Sequence, residues 1–416
     1  MSQFEETRAV QTSIRRGASL AVIFSLCVFG MGQSFIFTSI PPIGREIGLS
    51  ESQVGLIMMS GAIVLVFFSF YWGQWVNKIG LRRAMQIGMI AYAATTLALG
   101  LVFAVALNAG IDSHTAFLLA IAFRVIFSAA SGGVFPSAQA FFVATSTPET
   151  RTSAIASMGI AFSLGMMIGP ALAALASNIS LDAPFYIMAG LGFCSFALLQ
   201  FFMPQTLHST NESENDDSTP VKIAWLTHPV LPFLILIMIV SLCMNAIQQI
   251  AVFYIQDLLQ IESKGAAQRG GAAMTLMSVM MITVQIIAAQ RLKLSPVLMI
   301  NFGAAVFLVS MLVFVFANSW TGYLLAMGLF GAGVGFLYPA VIASQTFRAA
   351  PHEQGHVAGA NVSAQGLGLV VGPITSASLY QLDATYPFIL VSALSIVILM
   401  INSRCAFSQS LHPSEY

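Results

Sequence analysis

Between Gly132 and Pro170 the chain holds eight Gly and Pro residues, and six of them reappear in kind 203 positions later. Gly132, Pro136, Pro148, Gly165, Gly169 and Pro170 correspond to Gly335, Pro339, Pro351, Gly368, Gly372 and Pro373, whereas Gly133 and Gly159 meet Phe336 and Val362. Gly and Pro decide where a backbone bends and how closely two backbones approach. With 33 Gly and 16 Pro in 416 residues, chance would supply less than a single match at a chosen offset. The chain is therefore two copies of one unit, each close to half its length, and its fold must be one that duplication can build.

Composition places that duplicated body in lipid. The chain is 57% hydrophobic and 8% charged, where a soluble domain carries about 25% charged residues. Apolar stretches fall at 18–40, 53–76, 82–107, 115–144, 153–178 and 183–203, then at 230–256, 269–290, 296–317, 320–347, 356–380 and 384–404. A helix needs about 20 residues to cross a bilayer, and only helices or closed barrels satisfy their backbone there. The expected fold is an all-α membrane protein of twelve transmembrane helices in two pseudo-symmetric six-helix bundles. A repeat of this kind points to a transporter with its site between the halves. The start of the chain, with Arg8, Arg15 and Arg16 ahead of an apolar run, imitates a signal peptide. The run is long enough to span and carries no small-residue cleavage site, so it reads as a retained first span.

Charge gives orientation and exclusions. Sixteen basic and sixteen acidic residues cancel, which speaks against a nucleic-acid partner held by phosphate neutralisation. With an even number of spans, one side receives twelve Lys and Arg, the other only Arg45, Lys264 and Arg269, and Arg124 lies within a span. The positive-inside rule then puts both termini in the cytoplasm of a multi-pass inner-membrane protein. Residues 1–203 read as the first bundle, 204–229 as an acidic, polar cytoplasmic linker, and 230–416 as the second bundle. Ser50-Glu-Ser-Gln53 reads as a capping box that starts the second span. Cys27, Cys194, Cys243 and Cys405 show no metal or redox spacing and read as packing residues.

Three motifs carry a family resemblance. Residues 73–83, Gly-Gln-Trp-Val-Asn-Lys-Ile-Gly-Leu-Arg-Arg, resemble the G-x-x-x-D-x-x-G-R-[RK] loop of the major facilitator superfamily. Gly73, Gly80, Arg82 and Arg83 fit, with Leu81 inserted before the basic pair and Asn77 in the acidic position. The resemblance implies a gating loop on the cytoplasmic side, with a weaker latch because Asn77 hydrogen-bonds without charge. Gly165-Met-Met-Ile-Gly169-Pro170 resembles the G-x-x-x-G-P element of the superfamily's antiporters. Small residues four apart also serve ordinary close packing, and Gly368 to Pro373 repeats the pattern in the second half. Arg124 falls at the arginine of the family's fourth-span motif, although Phe127 and Ser128 replace the Gln and Gly that follow it there.

A charge near the middle of a span costs at least ~2.5 kcal/mol and should face a cavity or a partner. Arg124 is therefore the residue expected to matter most. The resemblance implies a cavity lined by spans one, four, seven and ten. Those spans offer Gln33, Thr38, Arg124, Ser128, Ser131, Asn245, Gln248, Gln249 and Tyr338 as substrate candidates. No Asp or Glu lies well inside any span, and Cys27 occupies the place, ahead of Gly30-Met-Gly32, where tetracycline-type exporters of the family carry an acid. A peripheral acid (Glu46, Asp112 or Asp257) would then carry protons, or Arg124 would bind an anionic substrate. His352-Glu-Gln-Gly-His356 matches the H-E-x-x-H zinc pattern, but it sits in a short loop without a third ligand and reads as coincidence. No residue is expected to be catalytic and no metal to be bound.

The resemblance to the drug:proton antiporter branch implies secondary active transport, with a proton-coupled export of a small organic compound as the leading expectation. Export of an anionic metabolite such as a carboxylate siderophore, or an uptake carrier, are the alternatives. The partners implied are a small-molecule substrate, protons and the lipid bilayer. No cofactor is implied beyond the transmembrane proton gradient, and a monomer is expected.

Overall fold

The computed structural model describes residues 2–204, 228–292, 294–350 and 353–411; most of the 204–229 linker, and His352, lie outside them. In chain order the helices are α1 (Ser2–Glu46), α2 (Glu51–Ile79), α3 (Leu81–Leu107), α4 (Ser113–Ser131), α5 (Val134–Thr145), α6 (Pro148–Ala176) and α7 (Ala183–Phe202). There follow α8 (Leu231–Leu259), α9 (Ser263–Gln285), α10 (Pro296–Phe316), α11 (Trp320–Arg348), α12 (Gln354–Leu382) and α13 (Tyr386–Leu411). A short π-helical turn, Ile286–Arg291, continues α9. Twelve of the resulting helical segments are long and apolar enough to cross a membrane, in the positions the hydropathy pattern indicates.

Local chemistry sets the helix ends. Ser50 N–H donates to Gln53 Oε1 (2.9 Å) and Gln53 N–H to Ser50 Oγ (3.3 Å), which is the capping box expected before α2. Asp112 caps α4 by accepting from Thr115 N–H at 3.0 Å. Ser295 and Ser319 do the same for α10 and α11. The apolar stretch 115–144 is one span but two helices, because Gly132 and Gly133 break the ladder and Pro136 brings no N–H to bond back one turn. A Cβ on Gly133 would collide with the indole of Trp72, whose Nε1–H donates to the Ala129 carbonyl at 2.6 Å. The break therefore lets α2 seat a tryptophan against α4.

Packing divides the chain into two units: Met1–Leu49 with Ser60–Asn215, and Ser50–Met59 with Asp216–Tyr416. In unit 1, α1 and α6 run against each other across glycines. A Cβ on Gly165 would overlap the Cys27 carbonyl, and one on Gly169 would lie 2.7 Å from Met31 O. In unit 2 the same seam joins α8 and α12. A Cβ on Gly368 would lie 2.6 Å from Met238 O, and one on Gly372 would lie 2.8 Å from Leu242 O. Within each seam a proline, Pro170 or Pro373, sits inside the helix immediately after the second glycine. The sequence repeat is thus a repeat of backbone-to-backbone contacts, which van der Waals packing favours in lipid.

Candidate functional site

Unit 1 holds a buried cation. Arg124 lies in α4 with 8% of its surface exposed, and Ser128 and Ser131, on the same helical face, are also buried. Gly61 of α2 leaves room for the group: a Cβ there would lie 3.0 Å from Arg124 Nη2 and 3.0 Å from Ser128 Oγ. The guanidinium carbon sits 5.6 Å from the centre of the Phe127 ring, within cation–π range. Arg124 Nε and Ser131 Oγ have no hydrogen-bond partner among the described residues.

Tyr92 of α3 joins this group. Its ring is held between two glycines, for a Cβ on Gly32 would clash with it and one on Gly192 would lie 2.8 Å from Cδ1. Its hydroxyl is buried and without a partner among the described residues. Tyr92 and Arg124 line a common cavity of about 20 Å³, together with Gly32, Thr95 and Thr96. Of the α1 candidates, Thr38 is fully buried, and Gln33 is half-buried with Nε2 unpartnered.

The polar interior of unit 2 is neutral and mostly paired. Tyr338 O–H donates to Gln365 Oε1 at 2.5 Å, Ser241 O–H to the Gln365 carbonyl at 2.8 Å, and Asn245 Nδ2 to the Ser241 carbonyl at 2.8 Å. This chain ties α11, α12 and α8 together. Gln248 is 5% exposed; Gln249 is fully buried, with neither amide atom partnered. Gln345 donates to the Phe233 carbonyl at 3.0 Å. Tyr92 of α3 and Gln365 of α12 come from spans other than one, four, seven and ten. Gln365 could have been found by comparing the two copies, since it stands where the first half has Phe162.

The 73–83 loop forms the turn between α2 and α3. Gly80 takes φ +87 with open space around it, a conformation that favours glycine. Arg82 donates to the Met203 carbonyl at 2.9 Å and the Gln200 carbonyl at 2.5 Å, so it caps the end of α7 as cations do at helix C-termini. Arg83 is exposed. The surroundings of Gly73 and of the Asn77 side chain lie outside what the structure describes.

With this geometry in view, sequence comparison decides the family. The profile of the Major Facilitator Superfamily matches residues 22–373, and again 270–409. The chain belongs to the Major Facilitator Superfamily. It is 20% identical over 387 residues to Multidrug resistance protein 2 of Bacillus subtilis (strain 168), covering 91% of this chain and 92% of that one. It is 22% identical over 390 residues to the quinolone resistance protein NorA of Staphylococcus aureus (strain MSSA476), covering 92% and 95%. Among solved structures, a D-xylose-proton symporter matches with TM-score 0.74 at 12% identity, over 93% of this chain and 96% of that chain. A bacterial homolog of the human lysosomal transporter Spinster matches with TM-score 0.68 at 14% identity, over 96% and 97%. These two likenesses show the fold alone.

Members of the Major Facilitator Superfamily are transporters, not enzymes, and Glu353 and His356 of the H-E-x-x-H pattern stand at the start of α12. Glu353 Oε2 accepts from Ala350 N–H at 3.0 Å and lies 3.3 Å from His228 Nε2, while His356 is exposed. Of the peripheral acids, Asp112 is occupied as a helix cap. The Thr115 hydroxyl and backbone N–H hold its carboxyl below the usual range. Asp257 accepts from Tyr380 O–H of α12 at 2.6 Å.

Proposed function

We propose that this Major Facilitator Superfamily transporter exports a small organic compound across the inner membrane by alternating access, driven by the proton gradient. The observation that carries the reading is similarity along nearly the whole chain to two proteins named for multidrug and quinolone resistance. Arg124 orients the substrate or tunes a protonation step from its buried place in α4, where a charge is costly and is retained for function. Gln33, Thr38, Ser128, Ser131, Asn245, Gln248, Gln249 and Tyr338 supply the remaining polar contacts. Gly165, Gly169 and Pro170 shape the helix contact, and the 73–83 turn gates the inner side. Asp257, hydrogen-bonded to a tyrosine on a neighbouring helix, is the acid we assign to the proton. The excess of Lys and Arg on one side supports an orientation with both termini in the cytoplasm.

A second reading, export of an anionic metabolite, is favoured by Arg124 having no acid within its spans. It ranks behind because the two relatives matched along nearly the whole chain are named for multidrug and quinolone resistance. Everted membrane vesicles, energised to acidify their interior, test both readings. Uptake of a labelled cationic drug that collapses with a protonophore supports drug export. Uptake restricted to carboxylate compounds supports the second reading, and accumulation only in right-side-out vesicles overturns export.

A further inference from the structure

We infer that the turn between α2 and α3 holds the phosphodiester headgroup of an anionic membrane lipid, such as phosphatidylglycerol, beside the end of α7. The turn and α7 form a cleft of about 340 Å³, within the size range of small-molecule sites. Lys78, Arg82 and Arg83 line it with Gly80, Gln86 and Gln200, its walls are mainly polar, and no carboxylate lies on its lining among the described residues. Arg82 is fixed by the Met203 and Gln200 carbonyls, which are neutral and leave its charge standing. Gln86 Nε2 donates to Gln200 Oε1 at 2.7 Å, so the Gln200 amide N–H groups remain for another acceptor. Gly80 starts α3 without a side-chain cap and has open space where a Cβ would be. The positive end of the α3 dipole therefore opens on the same cleft. Guanidinium forks, an ammonium and free helix N–H groups are the donors that a phosphate takes.

The apolar surroundings favour a lipid over a soluble phosphate. Arg83 heads a stripe of α3 on which Ile87, Ala94, Leu101 and Val105 are exposed, at successive spacings of 4, 7, 7 and 4 residues. Those spacings define one helical face, and on a membrane span such a face meets acyl chains. On α7, Gln200 is followed by Phe201, which is 81% exposed. A lipid whose phosphate sits among the cations thus finds apolar surface for its chains on both helices. Basic pockets at this level of a span attract anionic headgroups, and each cation near the surface adds to the attraction. This assignment is independent of the direction of transport and of the compound carried.

The test uses the full chain, purified in a mild detergent and stripped of native lipid. Dioleoyl phosphatidylglycerol or dioleoyl phosphatidylcholine is titrated in, bound lipid is counted by native mass spectrometry, and the unfolding midpoint is followed on the same sample. The expected result is saturable binding of phosphatidylglycerol at concentrations that leave the protein free of phosphatidylcholine. Lys78 and Arg83 are exposed, so Lys78→Gln and Arg83→Gln should fold. Each should raise the half-saturating concentration about fivefold, and the double variant about thirtyfold, as the loss of one and two surface cations requires. Arg404→Gln removes an exposed cation from unit 2 and should leave binding unchanged. Glycerophosphoglycerol, the headgroup without its chains, should displace the lipid only at far higher concentration. Equal binding of the two lipids, a double variant that binds like wild type, or an Arg404→Gln shift as large as that of Arg83→Gln would each overturn the inference. Headgroup alone binding as tightly as the whole lipid would overturn it too, in favour of a soluble phosphate ester.

Discussion

The two halves share a skeleton and differ in chemistry. Glycines at matching positions bring α1 onto α6 in unit 1 and α8 onto α12 in unit 2, down to contacts that leave no room for a Cβ. The polar interiors laid over those seams do not match. Unit 1 buries Arg124 with an unpaired Nε and, beside it, an unpaired Tyr92 hydroxyl. Unit 2 has Met327 at the position of Arg124, and it runs a neutral chain of hydrogen bonds through Tyr338, Gln365 and Ser241. Gln365 and Tyr338 in turn stand where the first half has Phe162 and Phe135. Duplication has kept what builds the backbone and released what faces the interior, so function is to be sought where the copies disagree.

The largest effect should come from the shared skeleton. Gly165→Val drives a side chain into the Cys27 carbonyl and should cost about 3 kcal/mol or more, seen as loss of monodisperse protein after detergent extraction. Gly159→Val meets open space, and its counterpart in the second half is already Val362. That variant should extract like wild type; equal damage from both would break the claim that the seam glycines are there for contact.

Next come the interiors. Tyr338→Phe leaves Gln365 Oε1 without its donor and should lower stability by about 1–3 kcal/mol. Tyr92→Phe removes a hydroxyl that has no partner among the described residues, so its unfolding midpoint should match or exceed wild type. Opposite signs for the two phenol deletions sharpen the comparison, and equal losses contradict it. Gly80→Ala must hold φ near +87 with ψ near 151, which should cost about 1–3 kcal/mol. Its effect should appear in a lowered midpoint, with export per folded molecule preserved if the turn is structural.

The smallest effect is expected at the end of α4. The Thr115 hydroxyl and N–H hold the Asp112 carboxyl below its ordinary range, so the cap's contribution is present above the ordinary carboxylate range. It is lost as pH falls through the depressed folded value. Asp112 is exposed, so Asp112→Ala should flatten this acid limb only slightly, and Asp112→Asn should keep the cap at neutral pH.

Much of this was legible in the residues. Long apolar runs, the Ser50–Gln53 box and the offset glycines each state a local rule that lipid enforces, so the twelve spans and the close-packing glycine faces followed from them, but not the helices those faces meet. The division of the fourth span was not legible from its apolar run, which continues through Gly132, Gly133 and Pro136. Arg124 announced itself as a charge in a span. Tyr92 did not, because a tyrosine in an apolar helix is ordinary until the glycines that grip it, Gly32 and Gly192, are brought near by tertiary packing. Arg82 carried a clear motif, but its partners are carbonyls at the end of α7, and no sequence pattern names a carbonyl.

The central claim is that Arg124 is kept for transport and not for folding. Arg124→Met, reconstituted beside wild type in proteoliposomes with an imposed pH gradient, tests it when drug efflux and the unfolding midpoint are measured on the same preparations. Removing a buried charge whose Nε has no partner among the described residues should leave the midpoint unchanged or raise it by the equivalent of about 1–4 kcal/mol, while gradient-driven efflux is lost. A destabilised variant whose folded fraction still exports at the wild-type rate would contradict the account.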